Sequence, residues 1–215
     1  MMKRILTTGV ALLASVAMAA AQTPPAAQTT APAQPKPVAR VASPAGSSQT
    51  QIGSGATGKW IEITYGRPIK RGRADLWGKD ADYGKALLAG APIWRAGANV
   101  STRLKTELPL VIAGKTVPAG EYSLFIELKS PTDWTLVVSS WPAQEKYDKA
   151  NTAALWGAYG YTPDKDVARI AMKVEKLPLS IDQLTWDFAD VTATGGKLVI
   201  MWDTNMATAP FAIGQ

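Results

Sequence analysis

Apolar and polar residues alternate with a period of two through much of the chain. In GKWIEITYG (58–66), Ile61, Ile63 and Tyr65 fall on one side of an extended segment and Trp60, Glu62 and Thr64 on the other. LPLVIAGKTVPAGEYSLFIEL (108–128) reads as two strands around turn chemistry at Ala113-Gly114-Lys115 and Pro118-Ala119-Gly120. Within it Tyr122, Leu124, Ile126 and Leu128 share a face. SPTD (130–133) turns the chain into WTLVVSS (134–140), where Trp134, Leu136 and Val138 align. VARIAMKVEK (167–176) sets Ala168, Ile170, Met172 and Val174 against Arg169, Lys173 and Glu175. IDQLTWDFADV (181–191) collects Leu184, Trp186 and Phe188, with Asp187 opposite. TGG (194–196) is a hairpin signal, and KLVIMWD (197–203) returns with Leu198, Ile200 and Trp202 together.

Half-apolar strands separated by turns predict two antiparallel sheets packed on one core. The expected fold is therefore mainly β, an antiparallel β-sandwich with jelly-roll-like topology and one or two short helices. Only YGKALLAG (83–90) and PAQEKYDKANTAAL (142–155) have helical character. No internal repeat stands out.

The N-terminus follows different rules. MMKRILTTGVALLASVAMAAAQ has Lys3 and Arg4, an apolar run from Ile5 to Met18, and an A-x-A arrangement at Ala19 and Ala21. This pattern predicts a signal peptide over residues 1–21, cleaved after Ala21, and an exported protein, periplasmic or secreted. The run is too short to serve comfortably as a membrane anchor, so the mature chain is expected to carry no transmembrane segment. Residues 22–48 are rich in Pro, Ala, Gln and Thr, a composition that cannot offset its ordering entropy and reads as a disordered linker. Residues 49–215 then form a single domain by the usual length prior.

Composition excludes much chemistry. The chain has 215 residues, no Cys and no His. That removes the Ser-His-Asp triad, the Cys-His dyad and nearly every zinc, copper or non-haem iron site. No cofactor and no metal are expected. The formal charge of +6 includes Lys3 and Arg4, so the mature chain carries +4. Cations are interspersed with carboxylates except at KRGR (70–73), and nothing points to nucleic acid.

Three polar clusters hold the candidate binding chemistry. YGRPIKRGR (65–73) supplies Tyr65, Arg67 and Arg73. IWRAGANVST (93–102) supplies Trp94, Arg95 and Asn99, separated by small residues. LWGAYGYTPDKDVAR (155–169) supplies Trp156, Tyr161 and Arg169. Arg offers bidentate donors, Asn a directional donor and acceptor, and Trp and Tyr flat apolar faces. Trp134, Trp186 and Trp202 are in phase with core positions, whereas Trp94 and Trp156 lie in Gly-flanked segments that suit a ligand platform. The competing use is structural: these Arg residues would satisfy carbonyls and carboxylates in long loops, and Asn99 would hold a turn.

In their order along the chain, ITYGRPIKRGR, IWRAGANVST, PAGEYSLF, DWTLVVS, WGAYGYTPDKDVARI and KLVIMWD resemble the domain-of-unknown-function family 2911. The resemblance spans nearly all of residues 43–211. It implies an exported bacterial protein with a compact, mostly β domain, and it implies no activity. Residues 74–93 depart from the family pattern through an insertion that would lie beside any pocket.

The resulting expectation is a non-catalytic envelope module that binds a small anionic or carbohydrate-like ligand between loops at one end of the sandwich, with no catalytic residues assigned. The alternatives are a carboxylate-based glycan hydrolase and a structural or interaction module of the envelope. Asp80 with Asp82, and Asp164 with Asp166, are the carboxylate pairs for hydrolysis, though turn capping is the commoner use of such residues. Neither pair matches an EF-hand loop.

Overall fold

The computed structural model describes residues 43–142, 144 and 158–215. The predicted signal peptide, residues 22–42 of the linker and most of the 142–155 segment lie outside the described residues. Two antiparallel sheets share one core, as the alternation predicts. The larger has the order β1-β2-β3-β6-β7-β8, and the smaller β5-β4-β10-β9. Their strands are β1 (Ala45–Ile52), β2 (Lys59–Gly66), β3 (Thr102–Thr106), β4 (Leu110–Ile112), β5 (Lys115–Val117), β6 (Gly120–Ser130), β7 (Asp133–Ser139), β8 (Asp166–Ala171), β9 (Lys173–Thr192) and β10 (Gly195–Ile213). Chain neighbours mostly pair within one sheet, while β3 with β6 and β4 with β10 join strands that are not consecutive, because the chain crosses between the sheets. One four-residue helix, α1 (Lys85–Leu88), falls in the 83–90 segment.

Local rules account for most strands, and tertiary context sets their limits. β1 begins at Ala45 and pairs Ala45 with Gly66 through Ile52 with Lys59. Residues 45–48, assigned by composition to the linker, are therefore in a strand. Ser and Gln suit an edge strand whose outer face meets water. The 108–128 segment makes three strands, not two, because Ala113-Gly114 is itself a two-residue hairpin. Both residues have positive φ, 49° and 75°, as a type I′ turn requires. The 167–176 run is continuous in sequence but not in one sheet. β8 ends at Ala171, the backbone N–H of Met172 donates to Trp134 O at 2.8 Å, and β9 starts in the other sheet. The alternation survives the switch because both sheets bury residues toward the same interior.

The core is built around tryptophan. Trp94 bridges to Ile126 of β6, Trp134 is on β7, Trp202 is on β10, and Trp77 comes from the loop after β2. Trp94 stacks on Trp202 at 6.3 Å and 13°, while Trp77 meets Trp94 edge-on at 5.8 Å and lies 4.9 Å from Trp134. Leu76, Trp77 and Tyr83, all buried, bring the 74–93 segment into this cluster. Trp134 Nε1 donates to the Tyr83 hydroxyl at 3.0 Å, and burial pushes that phenol up to about 12. A second, smaller cluster covers the outer face of β6 and β7, where Ala91, Ile93 and Ala158 lie on Phe125 and Val137.

Trp94 is only 2 % exposed, so Trp94→Ala is expected to lower the unfolding free energy by about 3–5 kcal/mol in urea titrations. A surface platform would give a near-neutral result. Ala113 sits in the left-handed region at an exposed turn, where an L side chain with a Cβ is disfavoured. Ala113→Gly is expected to raise the unfolding free energy by about 0.5–1 kcal/mol, with Ala113→Asn in the same direction.

Candidate functional site

The IWRAGANVST segment is an excursion from a strand. Trp94 pairs with Ile126 and Thr102 with Leu124, so residues 95–101 loop out between two nearly adjacent rungs of one ladder. The small residues let this loop press on its surroundings. Ala98 N–H donates to Gly66 O at 3.2 Å, and a Cβ at Gly66 would fall 1.9 Å from Ala98 O. Ala96 O accepts from Trp186 Nε1 at 2.9 Å and from the Thr102 hydroxyl at 3.1 Å. Arg95 Nε donates to Gly97 O at 3.3 Å, and burial lowers the guanidinium pKa against the opposing influence of Tyr159. Asn99, at φ 66°, donates through Nδ2 to Ser43 O at 2.9 Å. The loop's polar groups hold the loop itself and the entering chain.

The basic segment after β2 is likewise engaged with β9. Tyr65 donates its hydroxyl to Trp186 O at 3.3 Å. Arg67 reaches Leu184 O at 3.3 Å and the Thr185 hydroxyl at 3.2 Å. Leu184 N–H donates to Pro68 O at 3.0 Å, and Lys70 N–H to Asp182 O at 2.6 Å. Arg73 closes its own turn through Lys70 O and Ile69 O and lies 5.5 Å from the Trp202 ring centre. Tyr65, Arg67 and the 95–101 loop thus converge on Leu184–Trp186 of β9, bonding its carbonyls, the Thr185 hydroxyl and the Trp186 indole. Trp94 lies in the core beside them, and Trp156 lies outside the described residues.

Below this clamp, Lys70 Nζ bonds Asp203 Oδ1 at 2.5 Å and Ser180 Oγ at 3.1 Å, and Ser180 donates to Asp203 at 2.8 Å. Asp203, at φ 53°, sits where the β9–β10 register shifts. Burial raises the Asp203 pKa, but the bonds from Lys70 and Ser180 and the charges of Lys70 and Lys176 outweigh it, leaving the carboxyl below its usual range. Lys70 and Ser180 thus share Asp203 Oδ1 as their acceptor.

Tyr161 and Arg169, the remaining candidates, meet at a different place. They line a cleft of about 370 Å³ with Pro92, Ile93, Glu127, Pro163 and Asp166. Pro92 and Ile93 close the 74–93 segment, which therefore borders this cleft. Arg169 bridges two carboxylates, with Nη1 2.8 Å from Asp166 Oδ2 and Nη2 2.6 Å from Glu127 Oε2. Tyr161 donates to Asp166 Oδ2 at 2.7 Å and accepts from Arg169 Nη1 at 3.0 Å. Burial, followed by the Asp166 hydrogen bond and charge, pushes the Tyr161 phenol far up, so it remains a donor. The Asp166 side chain is 7 % exposed, and its Oδ1 is buried with no hydrogen-bond partner. An unsatisfied buried acceptor costs about 1–3 kcal/mol, which makes Oδ1 the unfilled position of this cluster. Glu127 was missed in the sequence because a lone outward Glu in an apolar strand carries no signal until β6, β7 and β8 are in register.

Among the described residues no group of three or more carboxylates gathers to hold a metal, and no helix is long and apolar enough to cross a membrane. The family model for proteins of unknown function DUF2911 matches residues 43–211. The chain belongs to the DUF2911 family. In this DUF2911 member the matched span begins two residues before β1 and ends two residues before β10 does. Neither the curated proteins nor the solved structures include a match to it.

The lowered carboxyl of Asp203 has a defined effect on acid stability. A folded-state pKa below the unfolded value of about 3.9 stabilises the protein above that pH, and the contribution is lost as pH falls through the folded value. The stability difference between wild type and Asp203→Asn should be constant from about pH 6 upward and shrink steadily below about pH 4. Urea unfolding at several pH values measures it.

Proposed function

We propose that this protein is an exported, non-catalytic binding module of the bacterial envelope, and that its ligand is a small carbohydrate-like molecule held in the Asp166 cleft. The observation that carries the reading is Asp166, which lines that cleft and whose buried Oδ1 has no hydrogen-bond partner. An acceptor in that position calls for an incoming O–H or N–H donor. The cation of the cleft is committed, since both terminal nitrogens of Arg169 bond carboxylates. That favours a hydroxyl- or amine-bearing ligand over an anion. Pro92, Ile93 and the Tyr161 ring supply the apolar part of the wall. Export rests on the signal-peptide pattern of residues 1–21 and the linker composition that follows.

Glu127 and Asp166 in one cleft are the observation that favours hydrolysis as a second reading. Carboxylate glycosidases need an open gap between the two groups for the glycosidic oxygen and water. Here the Arg169 guanidinium spans from one carboxylate to the other, which supports binding over turnover.

Thermal unfolding with glucose, glucosamine and N-acetylglucosamine, against phosphate, sulfate and citrate, tests the proposal. At about tenfold over its dissociation constant a bound sugar should add about 1.4 kcal/mol, a rise in Tm of about 3–6 °C. Asp166→Asn should abolish the rise, while Tyr161 and Arg169 still bond the remaining carbonyl oxygen. Stabilisation by the anions alone, or a sugar shift that survives in Asp166→Asn, would count against it.

A further inference from the structure

The outer face of the larger sheet is treated differently at its two ends. Over β6 and β7 it is covered by Ala91, Ile93 and Ala158. Over β1, β2 and β3 it carries polar side chains in cross-strand rows. Gln49, Glu62, Lys105 and Glu121 form one row, and Ser47, Thr64 and Arg103 the next. Two clefts lie along these rows, of about 500 and about 280 Å³, and both are lined by Glu62. Side by side along β2 and sharing Glu62, they form a trough.

The trough ends on an indole. Trp60 is 45 % exposed, whereas Trp77, Trp94, Trp134, Trp186 and Trp202 are each 7 % exposed or less. Its backbone is anchored: the Trp60 backbone N–H donates to Glu107 Oε2 at 2.9 Å, its carbonyl accepts from Glu107 N–H at 3.0 Å, and its cross-strand partner Gln51 fastens the adjoining turn at Gly55 O. The polar lining has a definite sign. Arg103 and Lys105 both pair with Glu121, at 3.4 and 3.6 Å. Gln49 Nε2 donates to Glu62 Oε1 at 3.0 Å and leaves the second carboxylate oxygen to an incoming donor. At the far end Gln144, 9 % exposed, has its backbone N–H held by Ser101 Oγ at 3.2 Å but its Oε1 buried without a partner.

We infer that this trough is a second binding site, distinct from the Asp166 cleft, for an extended neutral polysaccharide. An exposed indole on an anchored backbone matches the C–H face of a pyranose ring. Carboxylate and amide acceptors match hydroxyl donors, and Glu62, Glu107 and Glu121 outnumber Arg103 and Lys105, which disfavours a polyanion. Two clefts side by side along one strand suit several linked sugar units of an extended, β-linked chain.

The test is calorimetric titration of the folded domain with cellohexaose, chitohexaose and a heparin hexasaccharide. At least one neutral hexasaccharide should bind, and Trp60→Ala should weaken it by about tenfold or more with Tm unchanged. Glu62→Gln should weaken it as well. Asp166→Asn should leave it intact, so the two sites fail or survive separately. The inference is overturned if neither neutral hexasaccharide binds, if only heparin does, or if Trp60→Ala binds as tightly as wild type.

Discussion

Contact among Trp77, Trp94, Trp134 and Trp202 is the constraint on which the rest of the molecule depends. The four rings come from a loop, a bridge to β6, β7 and β10, so they join both sheets and the 74–93 segment at one point. Each pair adds about 0.5–1.5 kcal/mol beyond area burial. Geometry matters as much as energy. The stacked Trp94 and Trp202 and the edge-on Trp77 set how far apart the sheets lie at that end. Trp94 can reach this cluster only because the chain leaves its ladder after it and rejoins at Thr102, which creates the 95–101 loop.

That loop and the basic segment 67–73 then lie on β9. Both bring polar groups to a stretch whose backbone would otherwise be incompletely bonded. β9 is an edge strand, and along Asp182–Trp186 its outward carbonyls are filled by Lys70 N–H, Arg67 Nε and the Tyr65 hydroxyl. Edge strands need such cover to avoid pairing with other chains. The cationic cluster that resembles an anion site in sequence is thus an edge cap. Asp203 and Ser180 complete it where the β9–β10 register slips, and the same contacts account for the depressed Asp203 carboxyl.

The two proposed binding sites lie on the outer face of the larger sheet, where core packing makes no demand. The Asp166 cleft forms where the 74–93 segment and the residues before β8 roof over β6–β8. The Trp60 trough forms where no such roof exists. Both present acceptors rather than unpaired cations, and both contain a buried amide or carboxylate oxygen without a donor. Hydroxyl recognition is the chemistry proposed for both, through different geometry.

The alternation of apolar residues by itself determined the strands, the inward faces of β2, β6, β7 and β10, and the mainly β architecture. Side-chain direction in an extended chain has a strict period, so Ile61, Leu124, Leu136 and Ile200 are legible one at a time. The turn at Ala113-Gly114 was legible, but Lys115–Val117 is too short to show alternation and so did not read as a strand of its own, and the sheet switch at Met172 was invisible because both sheets share an interior. The site was less legible for a related reason. Tyr161, Arg169 and Asp166 lie close in sequence and could be found together, but Glu127 joins them only through the β6–β7–β8 register. Arg67, Arg95 and Asn99 have the right chemistry for a ligand, yet each donates to a carbonyl of a residue far away or on its own loop, and Arg67 also to the Thr185 hydroxyl. Whether a polar side chain meets backbone or solvent depends on where other segments pass, and that is decided only when the two sheets close on the tryptophan cluster.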